Sequence, residues 1–321
     1  MAILYLVVPC YNEQEVLKET TCQLTEKLNR LIAMGVCHPD SRVLYVDDGS
    51  KDATWQVIET LHKENPLVCG IKLAHNRGHQ TALLAGLMEA KDRCDCAVSM
   101  DADLQDSVEV LDGFMEKFAQ GCHVVYGVRS DRKADSMLKR STAQGYYKFL
   151  KALGVEVIYN HADCRLMSRR ALEELSRYGE SNLFLRGLIP NMGFQSEIVY
   201  FQRAARKAGE SKYSFRKMLA LAWDGVTSFT TKPLQWVWGL GLLVSTLSCL
   251  ALVACLVLWL CAVPFNGLWA AVASVWLLGG LLMLCMGVLG SYLGKVYFEV
   301  KGRPRFAVER TLEHPPTKEK E

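Results

Sequence analysis

Short apolar runs alternate with longer amphipathic segments along the first two thirds of the chain. The apolar runs are rich in β-branched residues and predict strands at residues 3–8, 42–46, 68–73, 96–100 and 123–126. The segments between and after them repeat apolar residues at helical spacing and predict helices at residues 13–34, 53–63, 80–91, 108–119 and 136–153. This alternation is typical of an α/β sheet covered by helices on both faces. In such a sheet the functional site lies at the carboxyl ends of the strands.

The last third of the chain has a different pattern. No charged residue occurs between Lys232 and Lys295, and this segment holds two apolar stretches, about 234–263 and 268–291, joined by a Pro-Phe-Asn-Gly turn. Each stretch is long enough to cross a hydrocarbon core about 30 Å thick. The preceding residues 211–232 repeat apolar side chains at helical spacing opposite basic ones, which predicts a helix in the membrane interface. The alternative for this helix is packing on the soluble domain.

These patterns predict four regions and a membrane topology. Residues 1–210 are expected to form the α/β domain, 211–232 the interfacial helix, 233–294 the two spans and 295–321 a tail. Basic residues flank both ends of the hairpin and its turn carries no charge, so the positive-inside rule places both termini in the cytoplasm. The apolar N-terminal run has no Lys or Arg before it, unlike a signal peptide. We therefore expect a cell-membrane protein whose soluble domain and termini are cytoplasmic.

The overall charge does not indicate a nucleic-acid-binding protein. The 37 Lys and Arg residues nearly balance the 34 Asp and Glu residues, which leaves a net charge of +3. A chain whose main partner is a phosphate backbone usually carries a stronger positive charge. No nucleic-acid partner is expected.

Polar side chains follow the first two predicted strands. Asn12 and Glu13 follow the first, and Asp47 and Asp48 end the second just before a Gly-Ser turn. A nucleotide would lie at these strand ends in a sheet of this type. Asp48 could instead cap the next helix, whereas Asp47 has a less obvious structural use.

The sharpest chemical signal is the Asp101-Ala102-Asp103 motif after the fourth predicted strand. Because alternate residues leaving a strand point the same way, the two carboxylates are expected to face one cation. Oxygen ligands of this kind suit Mg²⁺ or Mn²⁺ carrying a diphosphate. An isolated motif of this type is often only a solvated turn, but its position after an apolar strand and beside the other two motifs favours a metal site.

Together these motifs resemble glycosyltransferase family 2. Further motifs extend the resemblance to its polyprenyl-phosphate branch along nearly the whole chain: Asn76-Arg77-Gly78, Gly127-Val128-Arg129, Asp163-Cys164-Arg165-Leu166, Gly209-Glu210-Ser211-Lys212-Tyr213 and Lys301-Gly302-Arg303-Pro304. That branch includes bacterial undecaprenyl-phosphate glucosyltransferases and dolichyl-phosphate mannose synthases. The resemblance implies that the α/β domain has the Rossmann-like GT-A fold.

The resemblance also implies roles for individual residues. The nucleotide-sugar site would comprise Pro9, Tyr11, Asn12, Glu13, Asp47, Asp48 and Asp101. The metal would be held by Asp101, Asp103 and Gln105, with Asp103 also counted as catalytic. Because Arg pairs with phosphate in a bidentate manner, the acceptor-phosphate candidates are Arg129, Arg132 and Arg140. Arg206 and Lys212 are assigned to the donor, the alternative being a basic face attracted to anionic lipid.

Asp163 resembles the family's candidate base. A phosphate monoester is already anionic near neutral pH, since its second pKa is about 6, so the acceptor does not require a base. We expect Asp163 to position the sugar or the acceptor, with proton removal as a secondary role and a helix cap or a structural pair with Arg165 as the alternative. His75 and His79 are four residues apart and could share a zinc ion, although the cation site already has oxygen ligands.

The resemblance implies a membrane-anchored, metal-dependent inverting glycosyltransferase. It would transfer a sugar to a polyprenyl phosphate, with UDP-glucose and undecaprenyl phosphate as first choices, and a homo-oligomer is expected. N-acetylhexosamine, galactose, a modified arabinose and mannose are the other candidate sugars. The alternatives are a processive polysaccharide synthase and a catalytically silent membrane scaffold. Gln235-Trp236 is not the Q-x-x-R-W segment of the former, and the intact acidic pairs argue against the latter.

Overall fold

In a computed structural model, residues 1–129, 161–179, 185–201 and 267–314 are described, with scattered residues between 236 and 261. The described strands are β1 (Leu4–Cys10), β2 (Arg42–Asp47), β3 (Val68–Leu73), β4 (Cys96–Ser99), β5 (Val124–Arg129), β6 (His161–Ser168), β7 (Ser196–Phe201) and β8 (Val308–Leu312). The described helices are α1 (Leu17–Ala33), α2 (Thr54–Glu64), α3 (His79–Ala90), α4 (Val110–Ala119), α5 (Arg169–Arg177), α6 (Leu185–Asn191) and α7 (Leu268–Val300).

The described strands form one eight-stranded sheet in the order β7-β5-β6-β4-β1-β2-β3-β8. The four central strands β4, β1, β2 and β3 run parallel, as the alternation of strands and helices predicts. β6 is antiparallel to both β4 and β5, and β8 is antiparallel to β3. The α/β class is therefore confirmed, and the sheet is mixed.

The centre of the sheet is covered on both faces. Every residue of β1 and β2 is buried, which is the pattern of strands that lie between two layers of helices. Helix α3 packs so closely on these strands that a Cβ at Gly86 would lie 2.6 Å from Val46 Cγ2. This close packing fixes the start of α3 at the carboxyl ends of β1 and β2, where the polar motifs lie.

The segment that follows the apolar part of the chain differs from the predicted tail. Helix α7 continues to Val300, nine residues past the predicted end at 291. Lys301 Nζ lies 4.1 Å from the centroid of the Tyr297 ring at this end. Residues 308–312 form the edge strand β8, in which Thr311 lies opposite Ile71. The tail thus contributes a strand to the sheet because it pairs with the exposed edge of β3.

The described elements belong to two compact units, one comprising β1–β8 with α1–α6 and the other containing α7. Within the described residues, the segment Leu277–Val300 is the one helix long and apolar enough to cross a membrane. Its large side chains are exposed, among them Leu282, Met286 and Leu293. The predicted first span lies largely outside the described residues, and the helices predicted at 136–153 and 211–232 lie wholly outside them. The two-span hairpin therefore stays a prediction.

Candidate active site

Hydrogen bonds join the loops that follow β1 and β2. The backbone N–H of Asn12 donates to Ser50 Oγ (3.0 Å), and Lys51 N–H donates to Asn12 Oδ1 (2.9 Å). Asn12 has a φ of 55°, a left-handed conformation that Asn adopts more readily than most residues. Glu13 N–H donates to Thr54 Oγ1 (2.9 Å). Asn12 and Glu13 therefore fix the mutual position of the two loops at the carboxyl edge of the sheet.

Pro9 and Tyr11 flank the end of β1. Pro9 is buried inside the strand opposite Val46, so its ring packs within the sheet. Tyr11 is 36% exposed just beyond the strand. Of these two predicted nucleotide-binding residues, Tyr11 has the side chain that a ligand at this edge could contact.

Asp47 is a buried carboxylate at the end of β2. Its Oδ1 accepts a hydrogen bond from Ser50 N–H (3.1 Å). Its Oδ2 is the one buried side-chain polar atom among the described residues that has no hydrogen-bond partner. Burial raises the pKa of Asp47 above its usual value, although hydrogen bonds from Ser50 and the charge of Lys72 oppose the shift. A buried acceptor without a donor costs free energy, and a ligand N–H or O–H would remove that cost.

Asp48 has a different set of partners. Its two carboxylate oxygens accept backbone hydrogen bonds from Arg77 N–H (2.7 Å) and Gly78 N–H (2.8 Å). Burial raises the pKa of Asp48, and these two hydrogen bonds oppose the shift. Asp48 thus holds the turn before α3, a structural use other than the helix cap considered from the sequence. Its assignment to the nucleotide-sugar site stays a prediction.

Asp101 and Asp103 follow β4 at the same edge of the sheet. Asp101 is 35% exposed, and its Oδ1 lies 3.3 Å from His79 Nε2. Asp103 Oδ1 accepts a hydrogen bond from Gln105 N–H (3.3 Å), and Leu104 between them has a φ of 43°. The two carboxylates therefore lie on a tight turn and are partly accessible, whereas Gln105 is buried.

The residue between the two carboxylates anchors this turn. Ala102 is buried, and its carbonyl oxygen accepts a hydrogen bond from Thr20 Oγ1 (2.6 Å). Thr20 belongs to α1, so the turn is held from the interior of the domain. This attachment fixes the acidic turn in place from its buried side.

The oxygen ligands of this turn fit a hard divalent cation. Mg²⁺ is usually held by one or two carboxylates together with substrate phosphates and water, and it does not need a complete protein cage. In the part of the chain that is described, no three or more His, Cys, Asp and Glu side chains form such a cage. Asp101 and Asp103 therefore suit a cation that binds together with a diphosphate. The sequence-based alternative of a zinc site at His75 and His79 gains no third ligand among these residues.

Strand β6 brings Asp163 to the acidic turn. β4 and β6 are antiparallel, with Ser99 opposite Arg165, so Asp163 lies on β6 just beyond the last residue pair of the two strands. Ser99 Oγ donates a hydrogen bond to the carbonyl oxygen of Asp163 (2.5 Å). The antiparallel pairing thus places a third carboxylate beside the two that follow β4.

Both carboxylate oxygens of Asp163 bind guanidinium groups. Arg186 of α6 donates from Nε to Oδ1 (2.9 Å) and from Nη2 to Oδ2 (2.7 Å). Arg165 Nη2 donates to Oδ1 (3.0 Å). Burial alone would raise the pKa of Asp163, but the hydrogen bonds and charge of Arg186, with the charge of Arg165, hold it well below its usual range. The structural pair with Arg165 is therefore present, and a second, bidentate pair accompanies it.

His79 hydrogen-bonds to Asp101 and is also affected by the charge of Asp163. Burial lowers the pKa of His79, but its hydrogen bond with Asp101 and the charges of Asp101 and Asp163 outweigh this effect and raise it. The sequence pattern pointed to His79 only as a zinc ligand. Arg186 was missed altogether, although a single charged residue within the apolar run 185–189 is a signal that could have identified it.

Several predicted phosphate-binding residues cannot be placed. Arg129 ends β5, and only its backbone is described. Four further basic candidates lie outside the described residues: Arg132, Arg140, Arg206 and Lys212. Their assignments to the acceptor phosphate and the donor stay predictions.

Comparisons with known proteins identify the family of this chain. The model of the family "Glycosyl transferase family 2" matches residues 5–176. The uncharacterized glycosyltransferase YkoT of Bacillus subtilis (strain 168) is 48% identical over 97% of this chain and 92% of its own length. The SfII prophage-derived bactoprenol glucosyl transferase of Shigella flexneri is 36% identical over 95% of this chain and 97% of its own length.

One solved structure is a more distant match. Mannosyl-3-phosphoglycerate synthase from Rubrobacter xylanophilus aligns with a TM-score of 0.46 at 14% identity, over 70% of this chain and 72% of that chain. This likeness is too low to support any inference about function. The family model and the relatives that match along nearly the whole chain are sufficient by themselves to identify the family. With its GT-A-like mixed α/β sheet, this chain belongs to glycosyltransferase family 2.

Proposed function

We propose that this protein transfers a sugar from a nucleotide-sugar donor to a polyprenyl phosphate, with inversion at the anomeric carbon. The observation that carries the proposal is an edge of the sheet where the buried, unpaired Oδ2 of Asp47 and the accessible carboxylates of Asp101 and Asp103 occur together. The choice of acceptor is supported by the full-length Shigella relative, which is named a bactoprenol glucosyl transferase. Undecaprenyl phosphate is the acceptor that we propose.

The donor is a uridine diphosphate sugar, with UDP-glucose as first choice. Asp47 Oδ2 is an acceptor without a donor, and uracil offers an N–H at N3, where cytosine has only an acceptor. Tyr11 is exposed at the same edge and contacts the base, while Asn12 and Glu13 hold the two loops that form the site. Uridine diphosphate donors of other candidate sugars would use the same nucleotide contacts and would differ only beyond the diphosphate.

Asp101 and Asp103, with Gln105, would hold Mg²⁺ or Mn²⁺. When bound, the cation neutralises charge on the nucleoside diphosphate that leaves. Asp103 is therefore assigned to catalysis as well as to metal binding. Thr20 supports both roles from the interior because it fixes the carbonyl oxygen between the two carboxylates.

The acceptor supplies its own nucleophile. An oxygen of the lipid phosphate forms a bond to the anomeric carbon, and the bond between that carbon and the donor diphosphate breaks with its electron pair leaving on the nucleoside diphosphate. Arg129, Arg132 and Arg140 are proposed to bind the acceptor phosphate, and Arg206 and Lys212 the donor diphosphate. Asp163 is held as a carboxylate, so we assign it to positioning.

Membrane attachment follows from where the acceptor resides. The exposed apolar surface of α7 suits a lipid environment, and a polyprenyl phosphate reaches the enzyme only from the bilayer. The proposed topology is that of a cell-membrane protein with an interfacial helix at 211–232, two spans, and a cytoplasmic catalytic domain and termini. We also propose that the protein forms a homo-oligomer.

The test is transfer to lipid from a panel of radiolabelled nucleotide sugars, with detergent-solubilised protein, Mg²⁺ or Mn²⁺, and undecaprenyl phosphate. We expect label in the organic phase only when the lipid is present, and the donor that gives it identifies the sugar. Long water-soluble polymer would instead indicate a processive synthase. Nucleotide binding without any transfer would indicate a silent scaffold, and either result would overturn the proposal.

A further inference from the structure

We infer that Asp163 serves to fix Arg186, and that the Arg186 guanidinium contacts a phosphate oxygen in the reacting complex. On this view Asp163 is a positioning residue and does not remove a proton. The inference rests on the proposed function, because it concerns the phosphates that meet at this site. It assigns a role to a residue that none of the sequence motifs contains.

The geometry separates the two arginines that bind Asp163. Arg165 is 1% exposed and also donates from Nη1 to the carbonyl oxygen of Leu185 (3.4 Å), so it is a structural partner inside the domain. Arg186 is 35% exposed. Of the two guanidinium groups, only that of Arg186 has a surface that a bound ligand can reach.

The backbone that carries Arg186 is held on two sides. Leu185 N–H donates to Gln80 Oε1 (2.8 Å), which ties the start of α6 to α3. The carbonyl oxygen of the same residue accepts the hydrogen bond from Arg165 on β6. With the bidentate contact from Asp163 in addition, the Arg186 side chain is held in one orientation, and little of its conformational entropy remains to be lost when a ligand binds.

The charges favour an anion at this point. Asp163, Arg165 and Arg186 together carry a net charge of +1 when all three are ionised. The charge of Arg186 opposes protonation of His79, so the guanidinium lies near that ring. Because His79 hydrogen-bonds to Asp101, the positive charge is also close to the proposed cation site. The reaction brings two phosphate groups to this edge, the acceptor monoester and the donor diphosphate, and a guanidinium is well suited to either.

The same contacts make Asp163 a poor base. Its two oxygens accept three hydrogen bonds from guanidinium groups, and protonation would break at least one of them. The acceptor phosphate is already ionised near neutral pH and has no proton that must be removed. Asp163 is therefore better suited to hold Arg186 than to take up a proton.

A double-mutant cycle tests the inference. Asp163→Asn, Arg186→Ala and the double variant are compared in the lipid-transfer assay, with kcat and KM measured for donor and acceptor separately. We expect Arg186→Ala to lower kcat/KM by about 10- to 100-fold, the size of a lost hydrogen bond to a charged group. We expect the double variant to lie within about threefold of Arg186→Ala, because residues that act as a unit are not additive.

Three readouts exclude a merely structural effect. The kcat–pH profile of Asp163→Asn should parallel that of the wild type, because no base has been removed. A higher KM for undecaprenyl phosphate in Arg186→Ala would place the guanidinium on the acceptor, and weaker binding of UDP with Mn²⁺ would place it on the donor diphosphate. Arg186→Lys should retain part of the activity that Arg186→Ala loses, because it keeps the charge but not the bidentate geometry.

The matched control is Arg177→Ala on α5, which removes an exposed guanidinium paired with Glu174 (2.9 Å) and should leave transfer unchanged. Thermal unfolding of every variant identifies any that fails to fold. Wild-type transfer rates in folded Arg186→Ala would overturn the inference. So would multiplicative effects in the double variant, or loss of the acidic limb of the pH profile in Asp163→Asn, because a base acts only when it is unprotonated. If the wild-type protein transfers no sugar, the proposed function is wrong, and the inference that rests on it is wrong as well.

Discussion

The carboxylates at the carboxyl edge of the sheet occupy four different environments. Asp47 is buried with one unpaired oxygen, whereas the oxygens of Asp48 are taken up by backbone N–H groups. The oxygens of Asp163 bind guanidinium groups. Asp101 and Asp103 are partly accessible on a turn. The same chemical group is therefore an unsatisfied acceptor, a loop anchor, an ion-pair partner or an accessible carboxylate suited to a cation, according to its local partners.

The unpaired oxygen of Asp47 predicts a trade of stability for binding. Asp47→Asn should raise the free energy of unfolding at pH 7 by about 1 kcal/mol, or about 2–4 °C in Tm, because an ionised buried group is replaced by a neutral one. The same change should weaken UDP binding, because the acceptor for the base is lost. Thermal unfolding and isothermal titration with UDP and Mn²⁺ measure the two effects.

The pH dependence of this variant follows from the raised pKa of Asp47. Protonation of the wild-type carboxyl removes its desolvation cost, so the stability contribution of Asp47 is largest below its usual pKa and is lost as pH rises through the raised value. The stability gap between Asp47→Asn and wild type should therefore narrow from pH 7 toward pH 4. Asp48→Asn is the control and should destabilise at pH 7, since its amide cannot accept both backbone hydrogen bonds. A lower free energy of unfolding for Asp47→Asn than for the wild type at pH 7 would contradict the claim that Asp47 Oδ2 has no hydrogen-bond partner.

Asp103 tests the cation site. Asp103→Ala should lower kcat for lipid transfer by about 100-fold or more, because charge on the leaving diphosphate would be less well neutralised. Attachment to membranes should be unchanged. The control Asp92→Ala removes a carboxylate that is 78% exposed beside Lys91 and should keep full activity. Full turnover by Asp103→Ala with added metal would remove this residue from the site.

At the scale of elements, the site depends on how closely the loop after β2 approaches the loop before α3. Gly49 follows β2 with a φ of 64°, and a Cβ there would lie 2.7 Å from the backbone nitrogen of Asn76. Asn76 belongs to the loop before α3. The next two residues of that loop, Arg77 and Gly78, donate backbone hydrogen bonds to Asp48 at the end of β2. Only a residue without a side chain fits between the two loops.

Gly49→Ala should therefore cost more stability than an alanine at another left-handed glycine. We expect a loss of about 2–4 kcal/mol, because backbone atoms must move in addition to the strain of the left-handed conformation. Gly35→Ala is the control, with a φ of 71° and only the flexible Met1 side chain nearby at 3.7 Å. It should lose about 1–2 kcal/mol. Equal losses in denaturant unfolding of the two variants would contradict the close approach of the loops.

The sequence predicted the elements with a clear apolar pattern. β3 begins and ends as predicted, at Val68 and Leu73, because its apolar run is bounded by turn residues. α1 begins at Leu17, four residues after the predicted start at 13. The residues before it belong to the loop after β1, which a hydrogen bond between Lys51 N–H and Asn12 Oδ1 joins to the loop after β2. The acidic motif after β4 and the fully buried Asp47 were likewise readable from their positions at strand ends.

Three strands were missed for identifiable physical reasons. β6 contains Asp163 and Arg165, two charged residues that pair with each other and with groups outside the strand, so the segment does not look like a strand in the sequence. β7 and β8 are edge strands with mostly exposed residues and no continuous apolar face. The lone charge of Arg186 in an apolar run marks the residue, but its partner could not be identified from the sequence, because the contact with Asp163 spans 23 residues and depends on where α6 is placed.

At the scale of the whole molecule, the end of the described chain belongs to the catalytic sheet. β8 covers the free edge of β3, and ion pairs reinforce it: Lys72 with Glu309 (3.3 Å) and Arg93 with Glu313 (2.7 Å). Arg305 Nη2 donates to the carbonyl oxygen of Tyr178 just before the strand. The segment that follows α7 in sequence thus protects an edge that would otherwise be free to pair with another chain.

Removal of residues 303–321 should therefore destabilise the protein and promote association. We expect Tm to fall by about 5 °C or more and the detergent-solubilised protein to form larger aggregates, because the edge of β3 becomes exposed. Size-exclusion chromatography and thermal unfolding measure both effects. A variant lacking only residues 315–321 keeps β8 and should behave as the full chain. A stable, non-aggregating protein without 303–321 would show that β8 does not contribute in this way.

The central claim is that the lipid phosphate is the sugar acceptor, and the mass of the lipid product tests it most directly. The full-length protein is incubated with UDP-glucose, Mg²⁺ or Mn²⁺ and undecaprenyl phosphate, and the extracted lipid is examined by mass spectrometry. The account predicts undecaprenyl phosphate heavier by one hexose residue, with an equal amount of UDP released, and formation of both products slower by about 100-fold or more with Asp103→Ala. UDP release at the same rate without lipid, or unmodified lipid after UDP has been released, would contradict it.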